Sequence, residues 1–105
     1  MTKNLFENIK PTSDKEVIKV LLQNKNITIE RIVSYGFHTP DGYWYNEDKN
    51  EWVILLAGEA ELEFKDGEIK KLKAGDYVLI PANQEHRVKS TSSEPNCIWL
   101  CFYYI

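Results

Sequence analysis

LKAGDYVLIPANQEHR, residues 72–87, joins a Gly75-Asp76 turn, a short apolar strand, a proline stop and a solitary histidine. Gly75 supplies the backbone freedom that a tight turn needs, Tyr77 to Ile80 are strand formers, and Pro81 cannot donate to a ladder that continues past it. The polar loop Ala82 to Glu85 then leads into His86-Arg87-Val88-Lys89-Ser90, a second strand with the histidine at its start. Two short strands this close together, with no helix between them, belong to an antiparallel all-β arrangement.

Working outward from that stretch, the loop Thr91 to Pro95 leads into Asn96 to Tyr104, a long final strand. On the other side, Glu59 to Lys65 alternates Leu62 and Phe64 against Glu61 and Glu63, and Asp66-Gly67 turns it back onto Glu68 to Lys73. The Asp-Gly pair predicts a type I′ turn with positive φ at both central residues. Glu51 to Ala57, EWVILLA, is apolar on both faces and predicts a strand buried on both sides, with Gly58 bending the chain after it. Tyr43-Trp44-Tyr45 is a short aromatic segment between the FHTPDG break and the polar turn Glu47 to Asn50. Ile27 to Gly36 is rich in β-branched residues and predicts another strand.

The N-terminal portion reads differently. Ser13-Asp14-Lys15-Glu16 has capping-box spacing, and Val17, Ile18, Val20, Leu21 and Leu22 cluster at helical period, so a short helix is expected from Asp14 to Gln23. Before it, Leu5, Phe6 and Ile9 are the apolar anchors of a segment that is either a frayed terminus or an arm docked on its own barrel or on a partner. The organisation expected is one domain: arm and short helix over 1–26, then a barrel over 27–105. Seven or eight short strands at close spacing point to a sandwich or barrel.

At 105 residues there is room for a single core. The formal net charge of −3 is the wrong sign for sequence-independent nucleic-acid binding. No run of eighteen apolar residues could span a bilayer, and the N-terminus lacks the apolar segment of a secretory signal, so a cytoplasmic location is expected. Cys97 and Cys101 lie four apart in one strand, roughly 13 Å from each other, too far for a mutual disulfide.

The spacing Gly75-x5-Pro81-x-Asn83-x2-His86-x3-Ser90 resembles the second conserved motif of the cupin family, which has Gly, Pro, Gly, His and Asn at those places; Asn83 and Ser90 are the departures. The first cupin motif has H-x-H, then a glutamate three or four residues on, then a glycine seven residues later. Glu51 and Gly58 match its last two positions, whereas Tyr45 and Glu47, or Trp44 and Asn46, stand where the histidines would. The resemblance covers about Ile27 to Tyr104. It implies an all-β double-stranded β-helix, the RmlC-like jelly-roll barrel, and a divalent metal ion held by three histidines and a glutamate. Only Glu51 and His86 carry over as metal ligands.

His38, Tyr45 and Glu47 are the remaining metal-ligand candidates; against them stands the reading of an exposed loop histidine, a packed aromatic and a solvated turn residue. Glu51 heads an apolar strand and shares a face with Val53 and Leu55, which turns its carboxylate towards a barrel mouth, unless it simply marks the strand's exposed end. His86 either serves a site or ties down its own loop through a carbonyl. Tyr45, Trp52, Tyr77 and His86 are the expected ligand-binding set, because amphipathic rings suit a small polar organic ligand; Trp44 belongs with them, and Trp99 reads as core. Two functions follow: a small-molecule-binding barrel, metal-free or with a weakened metal site, or a metal-dependent isomerase, epimerase or dioxygenase. A homodimer closing exposed strand edges is expected with either.

Overall fold

In the computed structural model, which describes residues 2–10 and 15–105, the chain forms eight strands and, among those residues, no helix. They are β1 (Glu16–Gln23), β2 (Ile27–Ser34), β3 (Asn50–Ala57), β4 (Glu59–Phe64), β5 (Ile69–Lys73), β6 (Tyr77–Ile80), β7 (His86–Thr91) and β8 (Cys97–Tyr104). A five-stranded sheet in the order β1-β2-β8-β3-β6 packs on a three-stranded sheet in the order β5-β4-β7. All the pairings are antiparallel, as a jelly-roll requires. No helix of the described residues is long and apolar enough to cross a membrane.

The core lies between the sheets. Ile32, Val53, Leu55, Trp99 and Cys101 project from the larger sheet, and Ala60, Leu62, Phe64 and Leu72 from the smaller. Burying each large side chain of this set is worth about 1.5–3 kcal/mol. In β3 the alternation is one-sided: Glu51, Val53 and Leu55 are buried, while Trp52 and Ile54 on the outer face are only half-buried. The expectation of a strand buried on both sides is therefore corrected, because no third layer covers the outer face.

The helix expected over Asp14–Gln23 is also corrected: Glu16–Gln23 is strand β1, paired with β2 from Glu16 opposite Ser34 to Gln23 opposite Thr28. Ser13 and Asp14 of the capping box lie outside the described residues, and Glu16 is the first residue of β1. β2 offers β1 a full ladder of backbone partners, and Val17, Ile18 and Val20 are β-branched, so pairing overrides the local signal. A bulge between Val20 and Leu22 inserts Leu21 and breaks the two-residue alternation, which explains why the apolar residues bunch as they would on a helix. The boundary expected at residues 26 and 27 falls between two paired strands.

Residues 2–10 dock on their own barrel. The buried Arg31 donates from Nη1 to the carbonyls of Leu5 and Glu7, at 2.9 and 2.8 Å, and the Tyr35 hydroxyl donates to the Lys10 carbonyl at 2.7 Å. Gly67 has φ +100° and donates to the Phe64 carbonyl, while Phe64 N–H donates to Glu68. That is a three-residue loop ending in a left-handed glycine, in place of the type I′ turn expected from Asp66-Gly67; Asp66 spends its side chain accepting from Glu68 N–H at 2.9 Å. Gly58, at φ +86°, passes so close to β8 that a Cβ there would lie 2.8 Å from the Asn96 carbonyl oxygen and the Cys97 sulfur.

Candidate functional site

A cavity of about 430 Å³ lies between the sheets, with Glu16, Ile18 and Gln23 of β1 among its lining residues. Successive inner-face residues of the larger sheet form its wall in rows. Thr28, Tyr103, Glu51 and Ile80 stand opposite one another across β2, β8, β3 and β6, and Glu30, Cys101 and Val53 form the next row. Leu62 and Val88 line it from the smaller sheet.

His86 is fixed from two directions. Its backbone pairs with Tyr45, which donates to the His86 carbonyl at 2.7 Å and accepts from His86 N–H at 3.1 Å. Its ring places Nδ1 2.9 Å from the Gln84 carbonyl and Nε2 3.5 Å from Glu51 Oε1. The Nδ1 proton therefore goes to Gln84, and the second nitrogen faces a carboxylate. Burial alone would pull the imidazole down, but Glu51, the Gln84 carbonyl and Glu47 together raise it above its ordinary value of 6.5. The Tyr45 and Phe64 rings flank it at 5.6 and 6.1 Å between centroids.

The segment carrying Tyr45 is itself anchored. Thr39, fully buried, exchanges hydrogen bonds with Val88 through its N–H and hydroxyl, and its carbonyl accepts from Arg87 Nη2 at 2.6 Å. The loop before His86 is held as firmly: Ala82 N–H donates to Asn50 Oδ1, Asn83 N–H to the Glu47 carbonyl, and Asn83 adopts φ +67°. Asparagine tolerates that left-handed backbone, so the departure from the motif's glycine at this position preserves the turn.

Of the expected site residues, the structure brings Tyr45, Glu47, Glu51 and His86 to the cavity. It does not bring His38, which is exposed with Nδ1 3.1 Å from the Thr39 carbonyl, outside the lining. Trp52 and Tyr77 are also placed elsewhere: they stack 5.3 Å apart on the outer face of the larger sheet, with Phe102 against Trp52, and Tyr77 is 65% exposed. The strand alternation that turns Glu51 inward necessarily turns Trp52 outward. Trp44 stands under Lys65, also outside the cavity lining. Trp99 is core, donating from Nε1 to Ser34 Oγ.

Glu16, Glu30, Cys101 and Tyr103 line the cavity without having been singled out beforehand. Burial, then the charges of Glu51 and Glu30, pushes the Glu16 carboxyl up to about 7. Glu30 is raised by burial and by Glu51 and Glu47, and burial foremost pushes the Cys101 thiol and the Tyr103 phenol well above their ordinary values. Cys101 is accordingly a neutral, poorly nucleophilic wall residue.

The divalent metal implied by the family resemblance does not fit this donor set. Among the described residues no three His, Cys, Asp or Glu side chains converge as a metal-binding group, and His86 with Glu51 supplies two ligands where a catalytic ion takes three or more.

An antiparallel double-stranded β-helix with an open cavity between its sheets is a jelly-roll barrel. The cupin domain family matches residues 34–103, and the chain belongs to that family. A solved structure from Ralstonia eutropha JMP134, described as a candidate mannose-6-phosphate isomerase, is similar at 31% identity and TM-score 0.93, with 99% of this chain and 97% of that one covered. A cupin superfamily protein from Desulfitobacterium hafniense DCB-2 shares the fold at 18% identity and TM-score 0.79, covering 92% and 84%. Among curated proteins, YdbB of Bacillus subtilis strain 168, an uncharacterised protein, is 44% identical over 62 residues, 58% of this chain and 55% of YdbB. The HTH-type transcriptional activator RclR of Escherichia coli K12 is 43% identical over 47 residues, 45% of this chain and 16% of RclR. The chain thus covers less than two thirds of either curated relative.

Proposed function

We propose that this cupin domain is a small-molecule-binding barrel that holds a polar organic ligand in its cavity against Tyr45, Glu51 and His86. The cavity itself carries the reading: about 430 Å³, apolar at Val53, Leu62 and Ile80, with the buried Glu51 and His86 in the same lining. The metal-dependent enzyme is the alternative, supported by the family resemblance and by the description of the Ralstonia neighbour; the two-residue donor set weighs against it.

The test is thermal denaturation of chelator-treated protein against sugars, sugar phosphates, carboxylates and amines. One class should raise Tm, since a ligand at 100 times its Kd adds about 2.7 kcal/mol of stability. His86→Ala should abolish the rise. No rise with any class, or a rise unchanged in that variant, overturns the reading.

A cytoplasmic location and a homodimer belong to the same proposal. β1 is an edge strand whose Val17, Ile18, Val20, Leu21 and Leu22 are 41% to 54% exposed, and a second copy pairing along that edge covers both the apolar side chains and the free backbone groups. Sedimentation should find a dimer that Val17→Lys with Leu21→Lys dissociates; a wild-type monomer at micromolar concentration refutes the assembly.

A further inference from the structure

The outer face of the larger sheet carries apolar side chains from one edge to the other. Leu22, Ile29, Phe102, Trp52 and Leu79 stand opposite one another in a single row from β1 to β6. In the neighbouring row Arg31 is followed by Leu100, Ile54 and Tyr77. The arm meets this face at Arg31, and Val33 and Ile98 beyond it are buried. Across the rest of the two rows nothing among the described residues forms a covering layer. Tyr77 is 65% exposed, Leu79 55% and Leu22 48%, and the side chains between them are half-buried.

The uncovered area sets what can cover it. At about 200 Å² for a fully exposed side chain of this size, Tyr77, Leu79 and Leu22 leave roughly 340 Å² in water, and the half-buried Trp52, Phe102, Ile54 and Leu100 raise the face to on the order of 600 Å². Monomers seldom leave that much apolar surface in one patch. Two copies placed face to face remove about 1,200 Å², the lower end of the range for specific interfaces, where association is weak. Charge decides between partners. From β8 to β6 the two rows hold no ionised side chain, so an acidic or basic partner finds nothing to pair with, whereas a second copy brings a face that neither repels nor desolvates an ion. The Trp52 ring lies 5.3 Å from that of Tyr77 and 5.4 Å from that of Phe102, which puts a packed aromatic group, the kind that dominates interface energetics, at the centre of the patch.

We propose that this face binds the same face of a second copy, whose larger sheet packs over Trp52, Phe102, Tyr77 and Leu79 as a further layer. Aligned sheets pack about 10 Å apart, a spacing that side chains of this size fill. The contact is separate from the edge contact at β1. Pairing along that edge extends the sheet in its own plane and leaves the outer face bare, and β6 lies four strand spacings, about 19 Å, from β1. A protein using both contacts is therefore a pair at low concentration and four copies at high concentration.

Sedimentation velocity over about 1 to about 500 µM reads the assembly, with a dissociation constant expected in roughly the tens to hundreds of micromolar for the face. The mass should double across that range, and Tyr77→Lys with Leu79→Lys should weaken the doubling at least about tenfold while leaving the low-concentration species as it is. Both side chains stand mostly in water, so the variant keeps its fold. The Trp52 indole N–H locates the contact in the unaltered protein: its NMR signal should move with concentration, and those of Trp44 and Trp99 should stay. A mass that is flat over the range, a doubling that survives in the variant, or a stationary Trp52 signal overturns the proposal. Binding to phosphatidylcholine vesicles, lost in the variant while the mass of the unaltered protein stays flat, makes the face lipid-facing and also overturns it. The edge contact fails separately: the unaltered protein is then a monomer at micromolar concentration, and the face alone takes it from one copy to two.

Discussion

Replacing Glu16 by glutamine tests the cost of burying its charge beside Glu51 and Glu30. Burial and the neighbouring Glu51 and Glu30 charges move its carboxyl from 4.5 up to about 7. Between those values the folded protein keeps a proton that the unfolded chain has already released. Stability contributed by this group therefore falls as pH rises from 4.5 to about 7, and stays at the lower level above that. Each unit of displacement corresponds to about 1.4 kcal/mol, giving an upper bound of about 3–4 kcal/mol. Glu16 is partly open to water, and screening there reduces the gain expected from Glu16→Gln to about 1–2 kcal/mol at about pH 8. At about pH 4, where the carboxyl is protonated in both states, the substitution should be nearly neutral. Urea denaturation of both proteins at the two pH values measures the difference. Equal stabilisation at both, or a loss at the higher pH, refutes the cost assigned to burying that charge.

Gly58→Ala should cost about 3–5 kcal/mol, combining a left-handed backbone with a Cβ forced against β8, whereas Gly67→Ala, at a similar φ but in open space, should cost about 1–2 kcal/mol; equal losses in denaturant titrations would dispose of the steric argument. By NMR, the His86 ring should titrate above 6.5 and move down in Glu51→Gln; because its folded value is raised, the stability it contributes is present below 6.5 and lost as pH rises through the folded value. A wild-type midpoint below 6.5 contradicts the pairing. Arg31→Ala removes both Nη1 hydrogen bonds to the arm and leaves the one from Tyr35, at about 1.5–3 kcal/mol, and should expose residues 2–10 to proteolysis; unchanged resistance argues that the arm is held by other contacts.

Strands β2 to β8 were legible because their alternation and their glycine and proline punctuation agree with the tertiary pairing. β1 was not, because the Leu21 bulge shifts its apolar residues into a helix-like cluster while the ladder to β2 decides the outcome. In the site, Glu51 and His86 were legible from position: one heads the buried face of β3, the other begins β7. Trp52 and Tyr77 misled because aromatic character does not say which face of a sheet a residue occupies. Glu30 did carry a signal, an acid among the β-branched residues of β2, in register with Thr28, Ile32 and Ser34. Thr28, Glu30 and Ser34 make that face the more polar of the two. It turns inward because the arm, through Arg31, covers the opposite face of β2.

β1 is hydrogen-bonded in its own chain on one side alone, and it contributes Glu16 and Ile18 to the cavity. On the binding-barrel proposal, release of a ligand is gated by the opening of β1, so a change that slows amide exchange in residues 16–23 should slow its dissociation as well.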